Sequence, residues 1–247
     1  MNSGIKQEAT VKKMQPKGDQ VNQMFANIAD DYDTANHLLS FGIDYLWRAE
    51  VTKRVKACSP SFVVDLATGS GDLAFALKKR LGRKVEVRGM DFCQSMLDVA
   101  EKKKATNPLF KNINFSQGDC LNLPLDDNTV DVFTIAFGFR NFENRAKGLE
   151  EAKRVLKKEN GHFFILEFTQ PANWFKPFYY FYLKNILPFI ASLVTKDKGA
   201  YNYLADSIEA FPTKEGIAKE LETAGFKVES ITPMTFSTVV IHHATTV

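Results

Sequence analysis

The sequence predicts an α/β fold built on a Rossmann-like, doubly wound and mostly parallel sheet of seven strands. Two observations predict this fold. Short β-branched apolar runs alternate with helical patterns between residues 62 and 168. The last two strand patterns are separated only by the tripeptide PMT, which is too short for a crossover helix. We therefore expect those two strands to be antiparallel, with one strand at the end of the chain reversed.

The predicted elements follow in order. Before the first strand, VNQMFANIADDYD and GIDYLWRAEVTKRVK repeat apolar residues at helical spacing, with Asp44 a candidate N-cap of the second helix. The strand FVVDL precedes a helix that Asp72 can cap, and a second helix follows the strand VEVRGMD. The strands NINFSQGD and DVFTIAFG come next, then the helix NRAKGLEEAKRVLKK and the strand HFFILEF. The helix TKEGIAKELETAG ends at Gly225 and precedes the final pair, FKVESIT and FSTVVIHHA.

These elements divide the chain into five parts. Residues 1–20 are polar and predict a flexible tail. Residues 21–58 predict a helical cap, and residues 59–170 the Rossmann-like core. Residues 171–212 form an aromatic-rich helical insertion after the fifth strand, expected to lie over the substrate site. Residues 213–247 supply the last helix and the terminal hairpin that completes the core.

Composition excludes several classes of protein. The net charge is only +3 and no basic stripe accompanies it, so we expect no nucleic-acid partner. Three widely spaced cysteines without a C-x-x-C pair indicate reduced thiols in the cytoplasm. No cluster of His, Cys and Asp has the spacing of a metal site, which predicts no metal. The sequence contains no run of 18 uninterrupted apolar residues, so we expect no membrane-spanning helix.

The loop after the first predicted strand resembles a nucleotide-binding turn. Gly69, Ser70 and Gly71, with Ala74, satisfy the pattern G-x-G-x-x-[GA] between a strand and a helix. Asp91 follows Gly71 by 20 residues, at the end of the second strand, where an acid can bind ribose hydroxyls. Together they predict an adenosine-containing cofactor, the alternative being a glycine turn with a helix cap.

Acidic residues decide between two cofactors. Asp65 and Asp72 flank the point where a dinucleotide pyrophosphate would meet the helix N-terminus, and they would repel it. The same carboxylates suit S-adenosylmethionine, which has an ammonium group and no phosphate. Asp119, after the third strand, is expected to receive the adenine amino group. Cys120 either packs on the adenine ring or is a small buried apolar residue.

Several stretches together resemble the ubiquinone/menaquinone biosynthesis C-methyltransferase family from about Met24 to the C-terminus. They are VVDLATGSGDLA, GMDFCQSML, GDCLNLPLDDNTVDVFTIAFGFRN, RVLKKENGHFFILEF and YNYLADSIEAFP. FGFRN and YNYL…S…FP are particular to this family, whereas the glycine loop is shared by class I methyltransferases. The resemblance implies methylation of a carbon of a prenylated quinol by S-adenosylmethionine.

The resemblance also implies cofactor contacts position by position. Ser70 stands where the family usually has threonine and keeps the hydroxyl, Asp91 is the ribose acid, and Asp119 with Cys120 forms the adenine pair. Ala136 stands where the family often has serine, which removes a hydroxyl from the site.

Arg140 and Asn141 follow the fourth predicted strand, at the sheet edge where open α/β proteins bind substrate. A ring carbon attacks a methyl group only when a neighbouring hydroxyl has lost its proton, so the site needs a base or a group that stabilises the phenolate. We assign Arg140 to that stabilisation, the alternative being an ion pair with a nearby acid such as Glu143. His37 is a candidate base or, equally, a hydrogen-bonded structural histidine.

Tyr201 and Tyr203 are candidates for the quinol pocket or for ordinary packing. The aromatic segment from Trp174 to Val194, with Lys176 and Lys184, fits a lid, a bilayer interface, a buried insertion or a homodimer surface. The expected location is the cytoplasm, with peripheral contact at the inner face of the membrane as a further option. The favoured acceptor is demethylmenaquinol; the alternatives are a benzoquinol of ubiquinone synthesis and another small lipophilic molecule.

Overall fold

A computed structural model of the chain describes residues 18–187 and 198–247, without the side chains of residues 198–202. Its single described sheet has seven strands in the order β3-β2-β1-β4-β5-β7-β6. All neighbours from β3 to β5 are parallel, and β7 is antiparallel to both of its neighbours. The strands are β1 Phe62–Leu66, β2 Glu86–Asp91, β3 Ile113–Gln117, β4 Val132–Ala136, β5 His162–Phe168, β6 Phe226–Met234 and β7 Val239–Thr246.

Helices cover both faces of this sheet, as the sequence predicts. On one face, Leu149 and Ile217 bring two helices onto the apolar side chains of the central strands. On the other, Val51 and Leu77 pack two helices against Val63 and its neighbours. The described helices are α1 Gly18–Ile28, α2 Tyr32–Leu39, α3 Ile43–Ala57, α4 Asp72–Leu81, α5 Gln94–Ala105, α6 Arg145–Val155, α7 Lys176–Phe181, α8 Lys198–Ala210 and α9 Lys214–Thr223.

The reversed strand is β7, which lies between β5 and β6. The prediction of an antiparallel terminal pair is confirmed, and the turn at Thr235, Phe236 and Ser237 reverses the chain through three positive-φ residues. Strand β6 runs on to Met234 and includes Pro233, which lacks a backbone donor. The sheet tolerates this proline because β6 is an edge strand, with a neighbour on one side only.

The helical cap before β1 consists of α1, α2 and α3. Helix α1 begins at Gly18, so the last three residues of the predicted tail are helical; residues 1–17 lie outside the described part of the chain. Asp44 is not the N-cap of α3, which begins at Ile43 after Gly42 in the left-handed conformation. Asp44 lies in the first turn and is buried, because cap side chains bind its carboxylate. The N-cap of α4 is likewise Gly71, and Asp72 is the first helical residue.

The insertion after β5 begins with α7, which continues as a π-helical turn over Tyr182–Ile186. Tyr179 and Leu183 point inward and pack with Ala35 and Leu39 of α2. The remainder of the predicted aromatic segment, residues 188–194, lies outside the described residues. No described helix is both long enough and apolar enough to span a bilayer.

Candidate active site

The loop between β1 and α4 is held from below by Asp65. This carboxylate is 1% exposed and accepts hydrogen bonds from the hydroxyls of Thr68 and Thr134, each at 2.6 Å. Burial raises its pKa to about 6, against the opposing effect of the two hydroxyl donors. Asp65 therefore stabilises the loop from within the core, and it does not line the cavity that the loop borders.

Asp91 connects the end of β2 to the same loop. Its two oxygens accept backbone hydrogen bonds from Gly69 at 2.7 Å and from Cys93 at 2.8 Å. Burial raises the pKa of Asp91, although these backbone donors act in the opposite direction. Each carboxylate oxygen keeps a second lone pair, so Asp91 can still accept from a ligand hydroxyl.

A cavity of about 180 Å³ opens above this loop. Five of the predicted cofactor residues line it, namely Gly69, Asp91, Asp119, Cys120 and Ala136. Their position is as expected from parallel strands whose carboxyl ends meet at one edge of the sheet. Among the described residues that line the cavity there is no Lys or Arg, whereas there are three acids: Asp91, Asp119 and Glu143.

The cap supplies residues to this cavity that the sequence analysis did not assign to it. Asn22 and Phe25 of α1 and Tyr32 of α2 line its outer wall. The helical periodicity of VNQMFANIADDYD marked Phe25 as an inward residue, but no local pattern shows which part of the core such a face will meet. Burial raises the pKa of Tyr32, so its phenol stays neutral and can donate.

Besides Asp65, two further predicted cofactor residues, Ser70 and Gly71, do not line the cavity. Ser70 donates its hydroxyl to Asp33 of α2 and so joins the loop to the cap. Gly71 has φ +87°, and a Cβ there would meet Phe115 at 2.8 Å and Phe75 at 2.9 Å. The glycine is required because the loop turns in a left-handed conformation against two aromatic rings.

An ion-pair network fastens the cap over the loop. The ammonium group of Lys103 on α5 contacts Asp33 of α2 at 2.7 Å and Asp72 of α4 at 2.5 Å. Arg48 of α3 also contacts Asp72, at 3.4 Å, and pairs with Asp44. Asp72 thus faces the cations of the network and does not line the cavity, which corrects its expected position beside the cofactor.

His37 belongs to the same network. Its Nδ1 lies 2.7 Å from Asp44 and its Nε2 lies 3.5 Å from Asp72. Its side chain lines neither cavity at the carboxyl edge of the sheet. The structure therefore favours the alternative of a structural histidine, and the position of His37 does not support a role as general base.

A second, larger cavity of about 1380 Å³ adjoins the first. The two cavities are separated by a wall only one side chain thick. The residues that line both cavities are Val21, Leu121, Phe142 and Glu143. Other residues of the larger cavity come from α1, α6, α8, α9 and the loop between α8 and α9; they include Met24, Arg145, Tyr203, Phe211 and Glu220.

The turn at Phe139–Asn141, which follows β4, lies where the two cavities meet. Arg140 lines the larger cavity and Asn141 the smaller one. Tyr203 of α8 donates its hydroxyl to Asn141 at 3.0 Å and also lines the larger cavity. The side chain of Tyr201, its predicted companion, lies outside the described part of the chain.

Arg140 is 7% exposed and pairs with Glu167, which is 1% exposed. Its Nη1 donates to Glu167 at 2.9 Å and to the carbonyl of Phe137. The partner is therefore Glu167 of β5 and not Glu143, the acid suggested by proximity in the sequence. The Nε–H group of Arg140 is buried and has no hydrogen-bond partner among the described residues. The side chain also lines the larger cavity, so the guanidinium charge lies at its wall.

Comparison with known proteins agrees with this geometry. Residues 13–246 match the model of the ubiE/COQ5 methyltransferase family. The chain belongs to this family. It is 43% identical over 214 residues to the demethylmenaquinone methyltransferase of Deinococcus radiodurans, a match that covers 86% of this chain and 87% of the relative.

The family includes enzymes named for both quinones. The ubiquinone/menaquinone biosynthesis C-methyltransferase of Rickettsia felis is 40% identical over 228 residues, covering 91% of each chain. Among solved structures, a SAM-dependent methyltransferase from Aquifex aeolicus superposes with a TM-score of 0.56 at 25% identity, over 74% of this chain and 81% of the other. The chain is thus a methyltransferase with the Rossmann-like fold of that class.

Proposed function

We propose that this methyltransferase transfers a methyl group from S-adenosylmethionine to a ring carbon of a prenylated quinol. The observation that supports it most is the character of the smaller cavity, whose described lining residues include three acids and no cation. A dinucleotide diphosphate would need donors or cations there. A sulfonium with an ammonium group and a nucleoside suits acidic and aromatic walls.

The lining residues assign the ends of the cofactor. Asp91 offers carboxylate oxygens to the ribose hydroxyls from the end of β2. Asp119 lies beside Cys120, where an adenine amino group can donate to it. Burial and the two neighbouring acids raise the pKa of Cys120 to about 12, so its thiol is neutral and acts as an apolar surface. When bound, S-adenosylmethionine supplies the electrophilic methyl group.

The larger cavity suits the acceptor. Its apolar residues, among them Met24 and Phe211, can contact a prenyl chain, while Arg140 lies at the side that adjoins the cofactor cavity. The guanidinium of Arg140, which lines this cavity, can stabilise the phenolate of a reduced quinol, directly or through a water molecule. Asn141 and Tyr203 hold the turn that places this group. Alignment of the two reactants then supplies much of the rate increase.

Thermal shift measurements test the cofactor. S-adenosylhomocysteine is expected to stabilise the protein and NAD to have no effect, because the acidic cavity repels a pyrophosphate. Stabilisation by NAD alone would overturn the proposal. Radiolabelled methyl transfer to a short-chain quinol under reducing conditions then tests the reaction, and the oxidised quinone, which lacks the phenolic hydroxyl, should not be methylated.

The favoured acceptor is demethylmenaquinol, and the methoxybenzoquinol of ubiquinone synthesis is the second candidate. A relative named for demethylmenaquinone alone and one named for both ubiquinone and menaquinone biosynthesis occur at similar identity, 43% and 40%. Parallel assays with the two quinols at equal concentration decide between them through the ratio of kcat/KM values. If the protein methylates neither quinol but does methylate another small lipophilic molecule, the proposal holds for the cofactor and is wrong for the acceptor.

The outer face of α7 supports contact with a bilayer. Phe178 and Phe181 of α7 are 67% and 61% exposed, and Trp174, in the turn before α7, is 63% exposed. Phe236 lies 5.2 Å from Trp174, ring centre to ring centre, and extends this aromatic surface. Soluble helices usually place polar residues on that face. Because the proposed acceptor is held in lipid, we assign this face to the membrane interface, where aromatic side chains are favoured.

Sedimentation with phosphatidylglycerol-containing vesicles tests the bilayer contact. The wild-type protein should pellet with vesicles, and the double variant Phe178→Ser, Phe181→Ser should stay in solution while still binding S-adenosylhomocysteine. If the variant instead converts a dimer to a monomer without changing vesicle binding, the aromatic face is a homodimer surface.

A further inference from the structure

A cluster of metal-ligating side chains lies at the amino edge of the sheet, away from the proposed active site. Cys58 follows the last residue of α3, His162 is the first residue of β5, and His243 lies near the end of β7. Strand β7 is antiparallel to β5, so its last residues meet the first residues of β5. Positions 58, 162 and 243 are far apart in the sequence, which is why spacing along the chain did not predict a metal site.

The three side chains present their ligand atoms to one another. Nδ1 of His162 lies 3.0 Å from Nε2 of His243, and all three potential ligand atoms, including Sγ of Cys58, lie within 4.8 Å of one another. Zinc in a tetrahedral site, with bonds of about 2.0–2.1 Å to nitrogen and 2.3 Å to sulfur, places two nitrogens roughly 3.3 Å apart and nitrogen and sulfur roughly 3.6 Å apart. The two imidazole nitrogens therefore need to move apart by only a few tenths of an ångström to bind the same zinc ion.

The surrounding structure fixes the orientation of these ligands. The ring of His243 stacks on Phe164, with centroids 4.2 Å apart and an angle of 8° between the planes. The thiol of Cys58 donates to the carbonyl of Arg54 at 3.5 Å. All three residues are half-buried, so an ion can reach them from solvent.

We propose that Cys58, His162 and His243 bind a divalent transition metal, most readily Zn²⁺. One thiolate and two imidazoles form a ligand set that zinc prefers over magnesium or calcium. Three protein ligands leave a fourth position for water, which is the arrangement of an open zinc site. Glu229 accepts a hydrogen bond at 2.9 Å from Thr245, two residues beyond His243, and so adds negative charge on that side, while the cation of Arg54 is already paired with Glu50 at 2.9 Å.

The metal would join three separate parts of the fold. Cys58 lies directly after α3, the helix whose first turn contains Asp44. His162 and His243 belong to neighbouring strands of the sheet. An ion bound to the folded chain and absent from the unfolded one stabilises the folded state. We expect zinc to raise the melting temperature without being required for methyl transfer.

Cobalt titration of the untagged, full-length protein tests the site, because Co²⁺ replaces zinc and its bond to a thiolate gives a charge-transfer absorption band. The band should saturate at one equivalent of Co²⁺ and disappear when Zn²⁺ is added. Cys58→Ser should abolish the band, and His243→Asn should abolish both the band and the metal-induced rise in melting temperature. Cys93→Ser, a matched loss of another thiol, should leave both unchanged.

A second measurement uses the wild-type protein and needs no variant to fold. Zn²⁺ should slow the alkylation of Cys58 by iodoacetamide, followed by peptide mass spectrometry, and should leave the rate at Cys120 unchanged. The proposal is overturned if no saturable thiolate band forms, if Cys58→Ser binds cobalt as the wild type does, or if zinc fails to protect Cys58. Each of these results is independent of whether the protein methylates a quinol.

Discussion

At the scale of single residues, the proposed site depends on groups whose neighbours are distant in sequence. Arg140 comes from the turn after β4 and its counter-charge, Glu167, from β5. Such a buried pair is costly to break, because removal of one partner leaves the other charge without compensation. A test of Arg140 must therefore separate loss of activity from loss of folding.

Arg140→Gln is expected to lower kcat by about 10²–10³, the usual effect of removing a donor that stabilises an oxyanion. Affinity for S-adenosylhomocysteine should change little, since Arg140 lines the larger cavity only. The single variant should also lose about 3–5 kcal/mol of unfolding free energy. The double variant Arg140→Gln, Glu167→Gln should recover much of that stability without recovering activity. Recovery of kcat in the double variant would show that Arg140 acts on the fold alone.

Asp65 predicts a pH dependence of stability. Its pKa is raised to about 6 in the folded chain, against about 3.9 in an unfolded one. The folded state therefore holds this proton more tightly, and the resulting stabilisation is fully present below about pH 4 and is lost as the pH rises through about 6. As the pH rises between these limits, the wild type should lose roughly 2–3 kcal/mol of unfolding free energy relative to Asp65→Asn. Urea titrations at several pH values measure it, and a difference independent of pH would contradict the raised pKa.

At the scale of elements, the cap and the core meet through a small number of ion pairs. Helix α2 contributes Asp33, α5 contributes Lys103 and α4 contributes Asp72, so three elements converge beside the cofactor loop. Helix α1 covers the smaller cavity directly. We expect these contacts to help hold the cap over a bound cofactor.

Asp33→Asn is expected to raise the KM for S-adenosylmethionine roughly three- to tenfold, equivalent to about 0.7–1.4 kcal/mol, since one charged partner of Lys103 and of Ser70 is lost. Amide exchange in α2 should become faster while exchange in the sheet stays the same. Lys102→Ala is the matched control, because the side chain of Lys102 is 75% exposed and its contact with Asp30 is weak, at 4.0 Å. Equal effects of the two substitutions would show that general surface charge, and not the contact with the loop, controls the cap.

At the scale of the whole molecule, the sheet and its helices form a core that the cap completes. The strands from β1 to β7 bury their own apolar residues against helices on both faces. Within the cap, α3 packs on the sheet, whereas α1 and α2 have a separate apolar cluster with α7 and α8. The core should consequently fold without α1, whereas the cofactor cavity should not form without it.

Deletion of residues 1–28 is expected to reduce affinity for S-adenosylhomocysteine at least tenfold, since Asn22 and Phe25 line the cavity. The circular dichroism of the sheet and its cooperative unfolding should persist. Deletion of residues 1–12, which precede the part of the chain that matches the family, should leave affinity unchanged. Isothermal titration calorimetry makes the comparison, and full affinity without α1 would mean that the cap does not close the cofactor site.

The sequence by itself determined the seven strands, their parallel and antiparallel directions and the class of enzyme, a methyltransferase that depends on S-adenosylmethionine. These depend on local periodicity, on the glycine loop and on the fixed distance from Gly71 to Asp91, all of which a linear chain displays. It also placed Arg140 and Asn141 at the correct edge of the sheet, because the carboxyl ends of parallel strands share that edge.

Only the tertiary structure decided which side chains meet. It paired Arg140 with Glu167 instead of Glu143, turned Asp72 and His37 toward the cap, and brought Cys58 to two histidines. Contacts between residues far apart in sequence depend on how helices and strands pack, since packing is set by the summed burial of many side chains and leaves no local pattern. The partners of a charged group in a folded protein are fixed by that packing.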